Sequence, residues 1–355
     1  MPTTTDRPIA RRAREPGTPP RSVIALAWVA LVTGTGVAIW LLPAKPDEHL
    51  ARPAPPAAAT APPSPATRPA SRPADRPSGR IARPSGFVTF VNAARAPLPP
   101  LPRPARRGRV RWFTLGHLTA GPGGCTPGWA GPGRRGGVPG PARLGRLRAA
   151  GGDAGLVFGG PVGRELAAAC TDPGRLLNAY RQAVDTFGAG YIDFEIRGPA
   201  DGETVLRRAS AIAALQREAA AGGRPLTVSF TLPVTGAGLT RGDQEMLRTT
   251  REGGAEITTV NLLVPIQDGA AGRPRLRSVA SAVRTAHPQI ARSLGGSTSW
   301  RRVALTPVLT GPRDLDMADA RRLAAFTSRN GLAWLSTRGA TPTTGVTRLL
   351  ADIAR

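Results

Sequence analysis

The residues between Gly190 and Gly198 alternate in character. Tyr191, Asp193, Glu195 and Arg197 fall on one parity, and Ile192, Phe194 and Ile196 on the other. A period of two marks a strand with two unlike faces. Here one face is apolar and the other carries three ionisable groups, which is costly inside a protein unless the charges pair or do chemistry. Reading on the same basis predicts strands over 86–92, 110–118, 154–160, 190–198, 225–232, 256–265, 302–309 and 332–337. Helical spacing fills the gaps, as in Leu176, Leu177, Tyr180, Ala183, Val184 and Phe187 behind Pro173, and predicts helices over 143–150, 173–188, 203–222, 240–253, 277–294, 316–330 and 344–354. Eight strands, most followed by a helix, in about 270 residues predict an α/β chain folded as a parallel (β/α)8 barrel, a TIM barrel. Reactive groups of such barrels sit at the carboxyl ends of the strands, which places Arg197 at the mouth.

Upstream of 86 the pattern is different. Residues 1–21 are polar, with Arg7, Arg11, Arg12, Arg14 and Arg21 against Asp6 and Glu15. Residues 22–42 carry no charge, over about the 20 residues that a bilayer core requires. The flanking arginines put the N-terminus in the cytoplasm. Pro43-Ala44-Lys45-Pro46 follows where a cleaved signal would show a small-x-small site, so the expectation is an uncleaved single-pass transmembrane anchor. Residues 43–85 are rich in Pro, Ala and Arg and read as an extended stalk. The barrel of 86–355 is then expected on the extracytoplasmic side of the cell membrane.

Composition narrows the chemistry. The chain has 355 residues, with 48 Lys+Arg against 23 Asp+Glu and a net charge of +25. Lys45 is its one lysine. An arginine excess of this size reflects an anionic partner, such as wall polymer or lipid headgroups, or an arginine- and alanine-rich coding bias. Aromatics are only 5% of residues and do not interleave with basic runs, so no nucleic-acid partner is expected. His49, His117 and His287 stand far apart, which argues against a zinc site or a Ser-His-Asp triad. No metal and no cofactor is expected.

Further motifs carry a resemblance. Phe113-Thr114-Leu115-Gly116 with Gly124-Cys125-Thr126-Pro127-Gly128-Trp129, then Phe158-Gly159-Gly160, Glu165-Leu166-Ala167 and Val228-Ser229-Phe230-Thr231-Leu232-Pro233-Val234, resemble the bacterial family 18 glycoside hydrolases, in their actinobacterial chitinase-like branch. The resemblance covers most of 86–355. It implies a barrel acting on N-acetylhexosamine polymers such as chitin or a cell-wall glycan. In that family strand four reads Asp-x-x-Asp-x-Asp-x-Glu, the final Glu is the general acid, and the substrate's own N-acetyl oxygen is the nucleophile. Cys125 and Cys170, the two cysteines of the chain, lie in matching segments and are expected to form a disulfide outside the membrane.

The pattern is broken where the family's chemistry would sit. It falls on Gly190, Asp193, Glu195 and Arg197, so only Asp193 is intact. A guanidinium stays protonated and cannot deliver a proton. Glu195 lies about 6.6 Å further down the strand and is expected to pair with Arg197. Val157 replaces a serine of the third strand. Asn261 and Gln267 fall within the sixth-strand substrate-binding motif, which has lost its Asp and Tyr. Arg338 takes the place of the tryptophan that floors the sugar site, with Trp334 deeper on the same face. The expected function is therefore a chitinase-like glycan-binding or scaffold protein that has lost catalysis. The alternative is an active glycosidase whose acid is Glu195 or a loop carboxylate, Glu165 or Asp268. A third reading has the basic barrel docking on anionic polymer or lipid.

Overall fold

A computed structural model describes residues 83–94, 110–131, 141–149, 151–266, 275–297 and 299–353. The basic tail, the uncharged span and all of the stalk up to residue 82 lie outside the described residues. Among the described residues, no helix is long and apolar enough to cross a membrane.

The chain forms β1 (Gly86–Asn92), β2 (Trp112–Ala120), β3 (Pro127–Trp129), α1 (Pro141–Ala149), β4 (Asp153–Gly159), α2 (Leu166–Ala169), α3 (Pro173–Phe187), β5 (Tyr191–Glu195) and α4 (Gly202–Ala221). It continues as β6 (Thr227–Pro233), α5 (Arg241–Glu252), β7 (Thr259–Pro265), α6 (Arg275–Ser293), a 3-10 turn at Trp300–Arg302, β8 (Val303–Leu309), α7 (Met317–Asn330), β9 (Trp334–Ser336), β10 (Arg338–Gly339) and α8 (Thr344–Ile353). Of the ten strands, β3 returns antiparallel on β2, and β10 is a two-residue extension on β8. The other eight are parallel, and the pairing of β1 with both β2 and β9 closes the sheet into a barrel. This is the (β/α)8 architecture that the alternation predicts.

Differences from the sequence reading are local. β2 runs two residues later than expected, and the strand expected over 190–198 ends at Glu195. The β2–β3 hairpin and the four-residue α2 lie in loops where no element is predicted. Helix limits follow their caps. Asp172 accepts from the Arg175 amide and Pro173 opens α3, which ends on Gly188 at φ 58°. α5 begins with a reciprocal Thr240/Asp243 capping box.

The parity of β5 divides the core. Phe194 points outward, stacked between Phe158 of β4 and Phe230 of β6 with ring centres 5.5 and 5.3 Å away, and Tyr180 of α3 covers the row. Tyr191, Asp193 and Glu195 point into the barrel. Gly155 makes room for the first of them, because a Cβ there would lie 2.1 Å from the Tyr191 ring. At the amino end the interior is closed by Val88, Ala304 and Trp334.

Candidate functional site

Asp193 sits midway up the barrel and is 2% exposed. Ser229, its register partner on β6, donates to Asp193 Oδ1, and Thr231 Oγ1 donates to Oδ2 at 2.7 Å. The Tyr191 hydroxyl lies 2.6 Å from Ser229 Oγ and must be the donor there, since the serine proton is already committed. On the other side Asn261 Nδ2 donates to Thr231 Oγ1 at 3.0 Å, and Thr306 Oγ1 donates to Asn261 Oδ1 at 2.8 Å. Six side chains on four strands thus form one chain whose protons all run toward Asp193. Burial pushes the Asp193 carboxyl up to about 6. The two hydroxyl donors and the charge of Arg338 restrain that rise, and the charge of Glu195 adds to it.

Glu195 ends β5 one layer above and is held from three sides. His117 Nε2 lies 3.0 Å from Oε2. Arg338 Nη2 approaches the same oxygen at 3.3 Å. Arg197 places Nε 2.8 Å and Nη2 2.7 Å from Oε1. Burial acts to raise this carboxyl, but it is outweighed by the His117 hydrogen bond and by the charges of Arg338, His117 and Arg197, and the group falls to about 2. A carboxylate at that value accepts a proton poorly and has none to give at neutral pH.

The expected site residues divide as follows. Asp193, Glu195 and Arg197 are brought together, with Arg197 just beyond the strand and its side chain 35% exposed. Arg338 joins them from β10, 8% exposed, its guanidinium 3.4 Å from the centre of the Phe90 ring. Asn261 is 1% exposed, and both ends of its amide are engaged inside the barrel. Trp334 closes the amino end rather than the mouth. Gln267 and Asp268 lie outside the described residues. Cys125, in the β2–β3 loop, is bonded to Cys170 after α2, which ties two loops of the mouth together.

Two participants escape the sequence reading. The β2–β4 register shifts between Gly116 and Leu118, which leaves His117 unpaired in a bulge and turned toward Glu195. Its position at the end of a barrel strand was the available signal. Arg208 is fully buried in α4, bonds Glu165 Oε1 at 2.6 Å and lies 5.7 Å from the centre of the Phe230 ring. An arginine between Thr204, Ala211 and Ile212 on the apolar face of a helix was the sign of it. Glu165 and Glu195, with Arg197, Asp201 and Thr204, line a cavity of about 230 Å³ at the mouth. Among the described residues, no cluster of His, Cys, Asp and Glu could hold a metal ion.

The fold and its charged mouth define a (β/α)8-barrel protein with a site at the carboxyl ends of the strands. Comparison with known proteins takes this further. No protein-family model matches the chain. The probable bifunctional chitinase/lysozyme of Escherichia coli K12 is 28% identical over 183 residues, 50% of this chain and 20% of that protein. Endochitinase 11 of Metarhizium anisopliae is 31% identical over 124 residues, 34% of this chain and 24% of that one. The matches thus span no more than a quarter of those relatives' lengths. Among solved structures, the catalytic domain of the hyperthermophilic chitinase from Pyrococcus furiosus superposes with a TM-score of 0.62 at 21% identity, covering 78% of this chain and 96% of that one. The chain is a homologue of these chitinases in sequence over the matched residues and shares the barrel fold of the solved one.

Proposed function

We propose that this protein is a membrane-anchored, extracytoplasmic chitinase-like protein that binds a glycan without hydrolysing it. One observation carries the reading. The residue aligned with the family's general acid is Arg197, and the nearest carboxylate below it, Glu195, is held near 2 by His117, Arg338 and Arg197. Arg197 does not release its proton and Glu195 carries none to deliver to a leaving oxygen at neutral pH. The motif is degenerate in this sense. The anchor and the outside location rest on the uncharged span 22–42 and on the basic residues before it. A disulfide suits that side of the membrane. The ligand class, a chitin-like or cell-wall glycan, is taken from the chitinase homologues.

The test is turnover of chito-oligosaccharides by the purified full chain, together with their binding. Binding without product is the expected result. Robust turnover that survives Arg197→Ala would overturn it. One observation favours the competing reading of a displaced acid: Glu165 shares the mouth cavity with Glu195 and Arg197. That reading requires turnover in the wild type and its loss in Glu165→Gln.

A further inference from the structure

The amino end of the barrel carries a second cavity, remote from the glycan site, of about 400 Å³. It lies among the first residues of β1, β6, β7 and β9, beside the turn that leads into β8. Its lining has a one-sided chemistry. Arg83 and Arg301 contribute guanidiniums, Ser85, Thr258 and Ser328 contribute hydroxyls, and among the described residues no carboxylate lines it.

Among the described residues these arginines are also uncompensated. No hydrogen bond or ion pair joins the side chain of Arg83 or Arg301 to another described residue. A third guanidinium stands close by. Arg302 donates to the Ile257 carbonyl at 2.5 Å, and its pKa is lowered by burial first and further by the positive charge of Arg83, while Glu256 acts in the opposite direction. Like charges gathered round a concave surface raise one another's energy, and a bound anion relieves it. The carboxyl end of α7 reaches the rim at Gly331 and opposes an anion, but a helix end carries only about half a charge against two full ones.

We propose that this amino-end cavity is a binding site for a phosphate group, held by Arg83 and Arg301 with the hydroxyls of Thr258 and Ser328. Guanidinium forks match the paired oxygens of phosphate, and hydroxyl donors take up the remaining ones. The site is independent of the glycan site, since the two lie at opposite ends of the strands. The phosphate comes either from an anionic lipid headgroup or from free phosphate. Arg83 lies three residues before β1, and on the proposed reading of 22–42 as a membrane anchor a headgroup bound there would seat the barrel's amino end on the membrane surface.

The experiment is a calorimetric titration of the full chain, in neutral detergent at constant ionic strength, with inorganic phosphate and with chloride as control. Saturable binding of phosphate but not chloride is expected. Arg83→Gln or Arg301→Gln alone should weaken it by about tenfold, the loss of one charged hydrogen-bonding group, and the double variant should abolish it. Both side chains are exposed, so the variants should unfold at the wild-type temperature, which is checked in parallel. Micelles doped with phosphatidylglycerol, against phosphatidylcholine, separate the sources. Displacement of phosphate by the anionic lipid alone assigns the headgroup, and no displacement assigns free phosphate. Absence of saturable phosphate binding, or equal binding by the double variant, overturns the proposal.

Discussion

Arg338 and Glu195 meet inside the barrel although 143 residues separate them, with Nη2 of the one 3.3 Å from Oε2 of the other. The glutamate side chain has no exposure, and the arginine is 8% exposed with its guanidinium laid on Phe90. Arg197 holds the same carboxylate from the solvent side with 35% of its side chain exposed. The two arginines should therefore differ in what they contribute. Breaking a buried pair leaves an uncompensated charge and costs about 3 kcal/mol or more. A partly exposed pair is worth about 1 kcal/mol or less. Arg338→Leu is expected to lower unfolding free energy in urea by the first amount and Arg197→Leu by the second. Equal losses would show that Glu195 does not distinguish its partners.

Asp193 and Glu195 titrate in opposite directions, and this shapes stability against pH. Glu195 falls from 4.5 to about 2 on folding. Between those values the unfolded chain binds more protons, so its contribution is fully present above about 4.5 and is lost as pH falls toward 2. Asp193 rises from 3.8 to about 6. Between those values the folded chain binds more protons, so stability falls as pH rises through the interval, by about 3 kcal/mol for a shift of this size. Urea unfolding of the wild type against Asp193→Asn, from pH 3 to 8, isolates the second effect. The difference between the two curves should change in favour of the asparagine variant as pH rises from about 4 to 6 and then level off. A flat difference would mean that the hydroxyl donors of Ser229 and Thr231 fully offset the burial.

Much of the barrel was legible because its information is local. The alternation of Tyr191 to Arg197 requires only the neighbouring residues, and it assigns each side chain to a face before any pairing is known. The Arg197–Glu195 contact follows from the same spacing. What the sequence hid depends on partners. His117 faces the mouth only because β2 slips one residue against β4, a property of two strands together. Ser229, Thr231 and Thr306 read as ordinary strand residues, and only register places them around Asp193. Asn261 was visible as polar in an apolar run, but that it bridges Thr231 and Thr306 depends on the register of three strands.

The Cys125–Cys170 bond ties the β2–β3 loop to the turn after α2 across 45 residues of sequence. Closing a loop of that length restricts the unfolded chain by about 4 kcal/mol in the entropic account. Reduction, or Cys125→Ser with Cys170→Ser, is expected to lower the melting temperature by roughly 10 °C. Far-UV circular dichroism below the transition should not change, since the barrel strands do not depend on the bond. A melting temperature indifferent to reductant would show that the two loops are fixed by packing alone.

His117 offers the sharpest probe of the mouth. Its hydrogen bond is the strongest of the influences that lower the Glu195 carboxyl, ahead of the charge of Arg338. Without it, burial is less opposed and the group should climb from about 2 toward 4.5. A rise of one unit removes about 1.4 kcal/mol of stability at neutral pH, because the interval over which the folded state holds fewer protons narrows. His117→Ala is expected to show both effects, the first by the carboxyl carbon shift of Glu195 in a pH titration and the second by urea unfolding. His117→Gln retains an N–H donor at similar reach and should restore part of each. His117→Leu fills similar space without a donor and should restore neither, which separates the hydrogen bond from packing. If Glu195 titrates at the same pH in all of these proteins, the two arginines alone hold it ionised. The bulge that turns His117 inward then has no electrostatic role.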